Sequence, residues 1–236
     1  FRGDGEILAS PIGWMPQIGA KLARRTFSPD LMMSDGIASL VTLEGEVEGW
    51  MPYRRIFDLL WSGRRHVMMG ASQIDRYGNQ NISCIGDHDS PKTMLIGARG
   101  APGNTINHTT SYFVPSHSTR VFVEQVSFVC GVGYDRAAAL GEQASRFHEI
   151  RRVITDLCVM DFAPREAGAP PQLQVRSLHP GVSVEQVKAA TGFELLVPDE
   201  VPKTRAPTPD EQRLLDEVVD PKRVRDKVVP TPEGAA

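Results

Sequence analysis

This sequence predicts an α/β fold built around a mostly parallel sheet, on three observations. Short apolar runs alternate with stretches of helical length, the pattern of βαβ units. At 236 residues with 41% apolar content, the chain can bury a continuous core. One apolar run, Leu31-Met32-Met33, stops on Ser34-Asp35-Gly36, and in open α/β sheets ligands bind beyond the carboxyl ends of strands.

In chain order, residues 7–9 read as a strand and 15–26 as a helix with Ile18, Leu22 and Arg25 at helical spacing. Residues 31–33 form the next strand. The alternating Glu44, Glu46 and Glu48 mark a solvated strand edge, and 52–63 is a packing helix with Ile56, Leu59, Leu60 and Trp61 on one face. A hairpin turns at Gly78-Asn79 between 67–75 and 80–85. Strands are expected at 94–97, at the β-branched and aromatic stretch 120–129, and at 153–159, where Asp156 and Cys158 interrupt the run. Ser183 followed by Gln186 opens a short helix that ends at Gly192. Thr208-Pro209-Asp210-Glu211 starts a peripheral helix over 209–218, and 230–236 is expected to be disordered. There is no internal repeat.

A formal charge of −3 gives no basic surplus for nucleic acid or an anionic membrane, so a small molecule or a protein is the expected partner. No apolar run approaches the roughly 18 residues of a membrane span. Cys84, Cys130 and Cys158 are odd in number, widely spaced and outside any Cys-x-x-Cys pattern, which suits a reducing cytoplasm rather than a disulfide framework or zinc site. The opening Phe1-Arg2-Gly3-Asp4-Gly5-Glu6 reads as neither a basic n-region nor an apolar h-region, so secretion is not expected, and the absent methionine raises the expectation of a short missing segment.

The loop Gly97-Ala98-Arg99-Gly100-Ala101-Pro102-Gly103-Asn104 has glycine at every third position, which lets backbone N–H groups approach an oxyanion or a thioester carbonyl. The same glycines also suit a strained connection with no ligand. The loop matches neither a phosphate loop nor a dinucleotide fingerprint, so ATP and NAD are not implied. Arg99 is a candidate for a substrate carboxylate, and Asn104, Asn107 and His108 form a polar cluster just beyond. His108 has a near-neutral ordinary pKa suited to a general base, although a histidine that only hydrogen-bonds backbone is the simpler reading. His88 between Asp87 and Asp89 reads as a solvated acidic turn, and no metal set is present.

Gly70-Ala-Ser-Gln-Ile-Asp-Arg-Tyr-Gly-Asn79, the loop 97–104 and His179-Pro-Gly-Val-Ser-Val-Glu-Gln-Val-Lys-Ala-Ala-Thr-Gly-Phe193 together carry a resemblance to the β subunits of class I CoA-transferases. The order is the family's, and the match covers most of the chain. The resemblance implies a three-layer α/β domain over 1–202, with a peripheral helix and tail over 203–236. It also implies a related α subunit, in an αβ or α2β2 assembly, with the active site at the interface. The substrate would be an acyl-CoA, with no further cofactor, bound near Asp35, Gly36, Gly97, Arg99, Gly100, Ala101, Gly103, Asn104, Asn107 and His108. In the family the strand equivalent to 31–33 is followed by a nucleophilic glutamate in a Glu-Asn-Gly or Glu-Ser-Gly triplet. Here Ser34 stands in its place, and a serine cannot form the acyl anhydride on which CoA exchange depends. A narrower resemblance is to the β subunits of bacterial CoA-ester hydrolases that open the last steroid ring in cholesterol catabolism. It implies hydrolytic carbon-carbon cleavage of a cyclic β-keto acyl-CoA, with a general base on the α subunit and Ser34 bonding water or substrate. An ordinary transferase using Asp35 or a partner residue, and a non-catalytic scaffold, are the alternatives.

Overall fold

The computed structural model describes residues 1–60 and 63–229. Trp61 of the expected packing helix and the tail 230–236 lie outside the described residues, as does the side chain of Leu59. The main sheet is built from β1 (Leu8–Pro11), β2 (Met32–Ser34), β3 (Ser39–Val41), β4 (Val47–Trp50) and β5 (Arg65–Met69), which precede two small hairpins. These hairpins pair β6 (Gln73–Ile74) with β7 (Gln80–Asn81), and β8 (Cys84–Gly86) with β9 (Pro91–Met94). The sheet then takes β10 (Thr109–Val114), β11 (Glu149–Thr155), β12 (Cys158–Ala163) and β13 (Gln172–Leu178). Its order is β13-β12-β11-β10-β5-β1-β2-β3-β4. The five strands from β11 to β2 pair in parallel, and antiparallel strands extend both edges.

The helices are α1 (Trp14–Arg25), α2 (Tyr53–Leu60), α3 (Ala101–Asn107), α4 (Tyr134–Ala139), α5 (Glu142–Ser145), α6 (Val184–Ala189), α7 (Pro209–Leu214) and α8 (Arg225–Val228). The step from β1 through α1 to β2 runs one way along the sheet, and the step from β5 through α3 to β10 runs the other way. Right-handed crossovers in opposite directions put α1 and α3 on opposite faces, giving three layers. Strand alternation sorts the core accordingly. Val67, Met69, Tyr112, Val114 and Val153 pack with Ala101 on the α3 face. Ile7, Ala9 and Leu31 pack with Ala23 on the α1 face.

Several expected elements are in place. Asp75 accepts hydrogen bonds from the N–H groups of Tyr77 and Asn79 and shapes the turn between β6 and β7. Ser183 and Gln186 cap α6 reciprocally, as do Thr208 and Glu211 at α7, which continues as a π-helical turn Leu215–Val219 and packs with α8 on α1. Three expectations are corrected. The 120–129 stretch is irregular, and Phe122 forms an isolated bridge to Ile74 while its ring stacks on His117. The 153–159 run is two antiparallel strands, because Asp156-Leu157 is the turn between β11 and β12. The 94–97 strand ends at Met94, after which Leu95 and Ile96 only brace Ser83 and Ile82.

Candidate active site at the topological switch point

Because the chain leaves β1 in one direction and β5 in the other, a crevice opens between their carboxyl ends, where doubly wound folds bind ligands. A cavity of about 760 Å³ lies there. Ile12, just past β1, and Met69 and Gly70, at the end of β5, form its base. Gly36 and Ile37 close one side, Arg99, Gly100, Ala101 and Asn104 another, and Ala71, Ser72, Ile82 and Ile96 the rest.

The turn after β2 is built by its own sequence. The Asp35 carboxylate accepts from the N–H groups of Ile37, Ala38 and Ser39 at 2.8, 2.9 and 3.0 Å. Burial works to raise its pKa, but those backbone donors outweigh it and hold it below the usual carboxylate range. A carboxylate so occupied is a poor nucleophile. Gly36 has φ +83°, and a Cβ there would meet the Pro11 carbonyl oxygen at 2.5 Å, so only glycine lets this turn close against β1.

Ser34 lies beneath the cavity, not on its wall. Its hydroxyl donates to Ser10 Oγ at 3.1 Å and accepts from the Gly36 N–H at 3.2 Å. Ser10 Oγ also accepts from Arg65 Nε at 2.7 Å, and Arg65 Nη1 donates to Asn104 Oδ1 at 2.8 Å. A buried polar chain therefore runs from Ser34 through Ser10 and Arg65 to the far wall. Sequence reading missed Ser10 and Arg65. They lie 24 and 31 positions from Ser34, and only the parallel pairing of β1 with β2 and β5 brings them together.

The loop 97–104 is half helix. Pro102 in the first turn of α3, behind Gly100 as N-cap, was the missed signal. Gly97 and Arg99 take positive φ of 81° and 49°, so Arg99 sits at the cavity rim in a conformation that arginine rarely adopts. Gly103 does not line the cavity. It is helical, and a Cβ on it would lie 2.7 Å from the Phe57 ring, so its bareness serves the packing of α3 on α2. Asn107 accepts from the Gly63 N–H through its carbonyl, away from the cavity. His108 is fully buried, 5.8 Å from the Phe57 ring, and burial foremost, with the charge of Arg65, pushes its pKa down to about 3. A group that stays neutral and enclosed there does not act as a base in this cavity. The structure thus brings Gly36, Arg99, Gly100, Ala101 and Asn104 together around one cavity, sets Ser34 and Asp35 behind the Gly36 side, and leaves Gly97, Gly103, Asn107 and His108 out of its lining.

The mouth is apolar. Of its lining residues, Ile37 is 72% exposed and Ile96 64%. Among the described residues no group of His, Cys, Asp and Glu could hold a metal ion, and no helix is long and apolar enough to cross a membrane.

A three-layer α/β domain with its crevice between these strands, a glycine turn after β2 and a bent Arg99 loop defines a CoA-transferase-type chain. The Coenzyme A transferase family model matches residues 56–190, and the chain belongs to that family. Within it, the chain is 48% identical over 97% of its length and 91% of the relative's to the cholesterol ring-cleaving hydrolase IpdB subunit of Rhodococcus jostii (strain RHA1). The crystal structure of Rhodococcus jostii RHA1 IpdAB superposes with TM-score 0.88 at 47% identity, covering 97% of this chain and 93% of that one. Glutaconate coenzyme A-transferase from Acidaminococcus fermentans shares the fold, with TM-score 0.78 at 24% identity over 98% and 92% of the two chains.

Proposed function

We propose that this chain is the β-type subunit of a cytoplasmic hydrolase that opens a ring of a cyclic, steroid-derived β-keto acyl-CoA and acts with an α subunit as a heterotetramer. One observation carries the reading. Among the described residues, the cavity wall holds no carboxylate, thiol or imidazole, and the position of the family's nucleophile is a serine whose hydroxyl is tied to Ser10. The substrate class rests on the ring-cleaving relative, to which this chain is 48% identical. The exposed apolar mouth suits an α subunit that brings the missing base. Three buried free cysteines agree with a reducing compartment.

The chemistry balances on one water. A partner carboxylate takes a proton from water, and the hydroxide adds to the ring ketone that is β to the thioester. The resulting alkoxide collapses, the ring carbon-carbon bond breaks, and its electron pair moves onto the thioester as an enolate. Protonation at carbon completes the step and leaves a new carboxylate, with the CoA ester intact. Both intermediates are anionic, so donors held in a water-poor cavity favour them, at about 2.7–4 kcal/mol per donor. In this reading the Gly100 N–H is one such donor, Arg99 meets an anionic arm of the substrate, and Ser34 stiffens the Gly36 turn; the support is that Gly100 and Arg99 line the cavity and that Ser34 accepts from the Gly36 N–H.

The test is turnover of a cyclic β-keto acyl-CoA by the co-expressed αβ complex in ¹⁸O-water. One ¹⁸O in the new carboxylate with CoA retained is expected, and acyl-CoA followed by hydroxylamine or borohydride should leave activity intact. Inactivation that maps to either subunit, with CoA passed to an added acid, would establish a transferase instead. Full activity of the α chain alone would reduce this chain to a scaffold.

A further inference from the structure

We propose that the Asn104 side-chain amide is an oxyanion donor in the cavity, and that Arg65, buried behind it, is the positioning residue that decides which end of the amide faces the ligand. The inference rests on the hydrolase reading for its reaction but on side-chain geometry for its substance. An amide is ambiguous about its oxygen and nitrogen until its neighbours settle them. Here they do. Arg65 is 1% exposed and a guanidinium can only donate, so the atom of Asn104 that receives Nη1 at 2.8 Å must be Oδ1. Nδ2 is then forced to the opposite side, where its one partner among the described residues is the Met69 sulfur, at 3.9 Å. A thioether is a weak acceptor, and an NH₂ group carries two hydrogens. Asn104 and Met69 both line the cavity, and Asn104 is 2% exposed. A desolvated donor with unspent hydrogen-bonding capacity therefore stands on the cavity side of the amide.

The arrangement suits a developing anion. The cation draws on Oδ1 and makes the N–H groups better donors, while the amide itself stays neutral and does not bind the ground-state carbonyl as an ion would. The same guanidinium holds Ser10, and through it Ser34 and the Gly36 turn on the facing wall. One buried residue behind the lining thus sets both walls.

Two readouts on the αβ complex test this, one of which does not require the hydrolase reading. Asn104→Asp keeps an acceptor for Arg65 and removes both N–H groups. Its turnover of the cyclic β-keto acyl-CoA should fall about 100-fold or more in kcat with KM little changed. The second readout is the pH titration of bound acetoacetyl-CoA to its enolate by ultraviolet difference spectroscopy, in which Asn104→Asp and Asn104→Ala should both lower the enolate fraction held at a given pH. Arg65→Lys, which keeps the charge and loses the fork, should give a smaller loss of about tenfold in kcat. Equal enolate fractions in wild type and both Asn104 variants would overturn the proposal. Failure of the hydrolase reading would appear separately, as absence of ring cleavage by the wild-type complex alongside an intact enolate difference.

Discussion

Arg65 and His66 are consecutive on β5 and point to opposite faces of the sheet, and the two buried clusters they anchor are completed differently. On the α1 face, His66 Nδ1 donates to Asp4 at 2.8 Å, and Nε2 meets the Ser111 hydroxyl at 2.9 Å. A carboxylate only accepts, so Nδ1 carries the proton, and burial, against the pull of Asp4, lowers the His66 pKa and keeps the ring neutral. The other oxygen of Asp4 takes Arg151, which also pairs with Glu149. Each of these five side chains has a partner. On the α3 face, the chain from Ser34 through Ser10 and Arg65 ends in an amide facing an open cavity. Two polar clusters anchored on one strand thus serve different ends. The closed one holds the sheet, and the open one leaves donor capacity for a ligand.

The largest effect that sharpens this contrast comes from a matched pair of variants. Arg65→Met removes the donor from Asn104 and Ser10, and should cost about 2–5 kcal/mol in urea unfolding and abolish turnover. His66→Phe orphans Asp4 and Ser111, and should cost about 1–3 kcal/mol while the folded complex keeps its kcat. If His66→Phe damaged kcat as deeply as Arg65→Met, the division between closed and open clusters would fail.

A smaller effect lies in the acid limb of stability. For Asp4, burial works upward, but His66 and Arg151 outweigh it and hold the pKa at about 2, below the ordinary 3.8. Stability from this pairing is therefore fully present above pH 3.8 and lost as pH falls toward about 2. Asp4→Asn should flatten the melting-temperature profile in that window. Asp75 has the opposite sign. Burial raises its pKa to about 6, so its contribution is present below 3.8 and lost as pH rises through about 6.

The smallest effect concerns Gly103. Gly103→Ala presses a methyl group onto Phe57 and should cost about 1 kcal/mol, with Phe57→Leu restoring part of the loss in thermal melts. A loss of substrate affinity without a loss of stability would return Gly103 to the ligand site.

What was legible in the sequence was what short-range chemistry writes. The Ser183 and Gln186 capping box, the Gly78-Asn79 turn and the Thr208-Pro209 helix start are each spelled within four residues, and each is in place. The Ser34-Asp35-Gly36 turn was found because a short strand ended on it. The 120–129 stretch misled because β-branched and aromatic residues pack as well beneath a sheet as within it, and Phe122 does the former. Thr109–Val114, a central strand, hid behind its own threonines, whose hydroxyls bond Glu149 and local carbonyls. Arg65 was invisible as a site residue because one arginine beside another reads as a solvated pair. Its burial is decided by Ser10 and Asn104, which lie 55 and 39 positions away.

The alternation of Arg65 and His66 also bears on how the sheet finds its pairing. A strand that slips by one residue presents each side chain to the opposite layer. In β5 such a slip would drive a guanidinium beneath α1 against Arg151 and leave an imidazole facing Ser10 and Asn104, so that both clusters would be lost at once. Apolar neighbours on β5 tolerate exchange, since Val67, Met68 and Met69 are buried on either side. The polar pair does not, and it acts as a key that fits its lock in one alignment, so the guanidinium that braces the cavity also fixes the strand on which it stands.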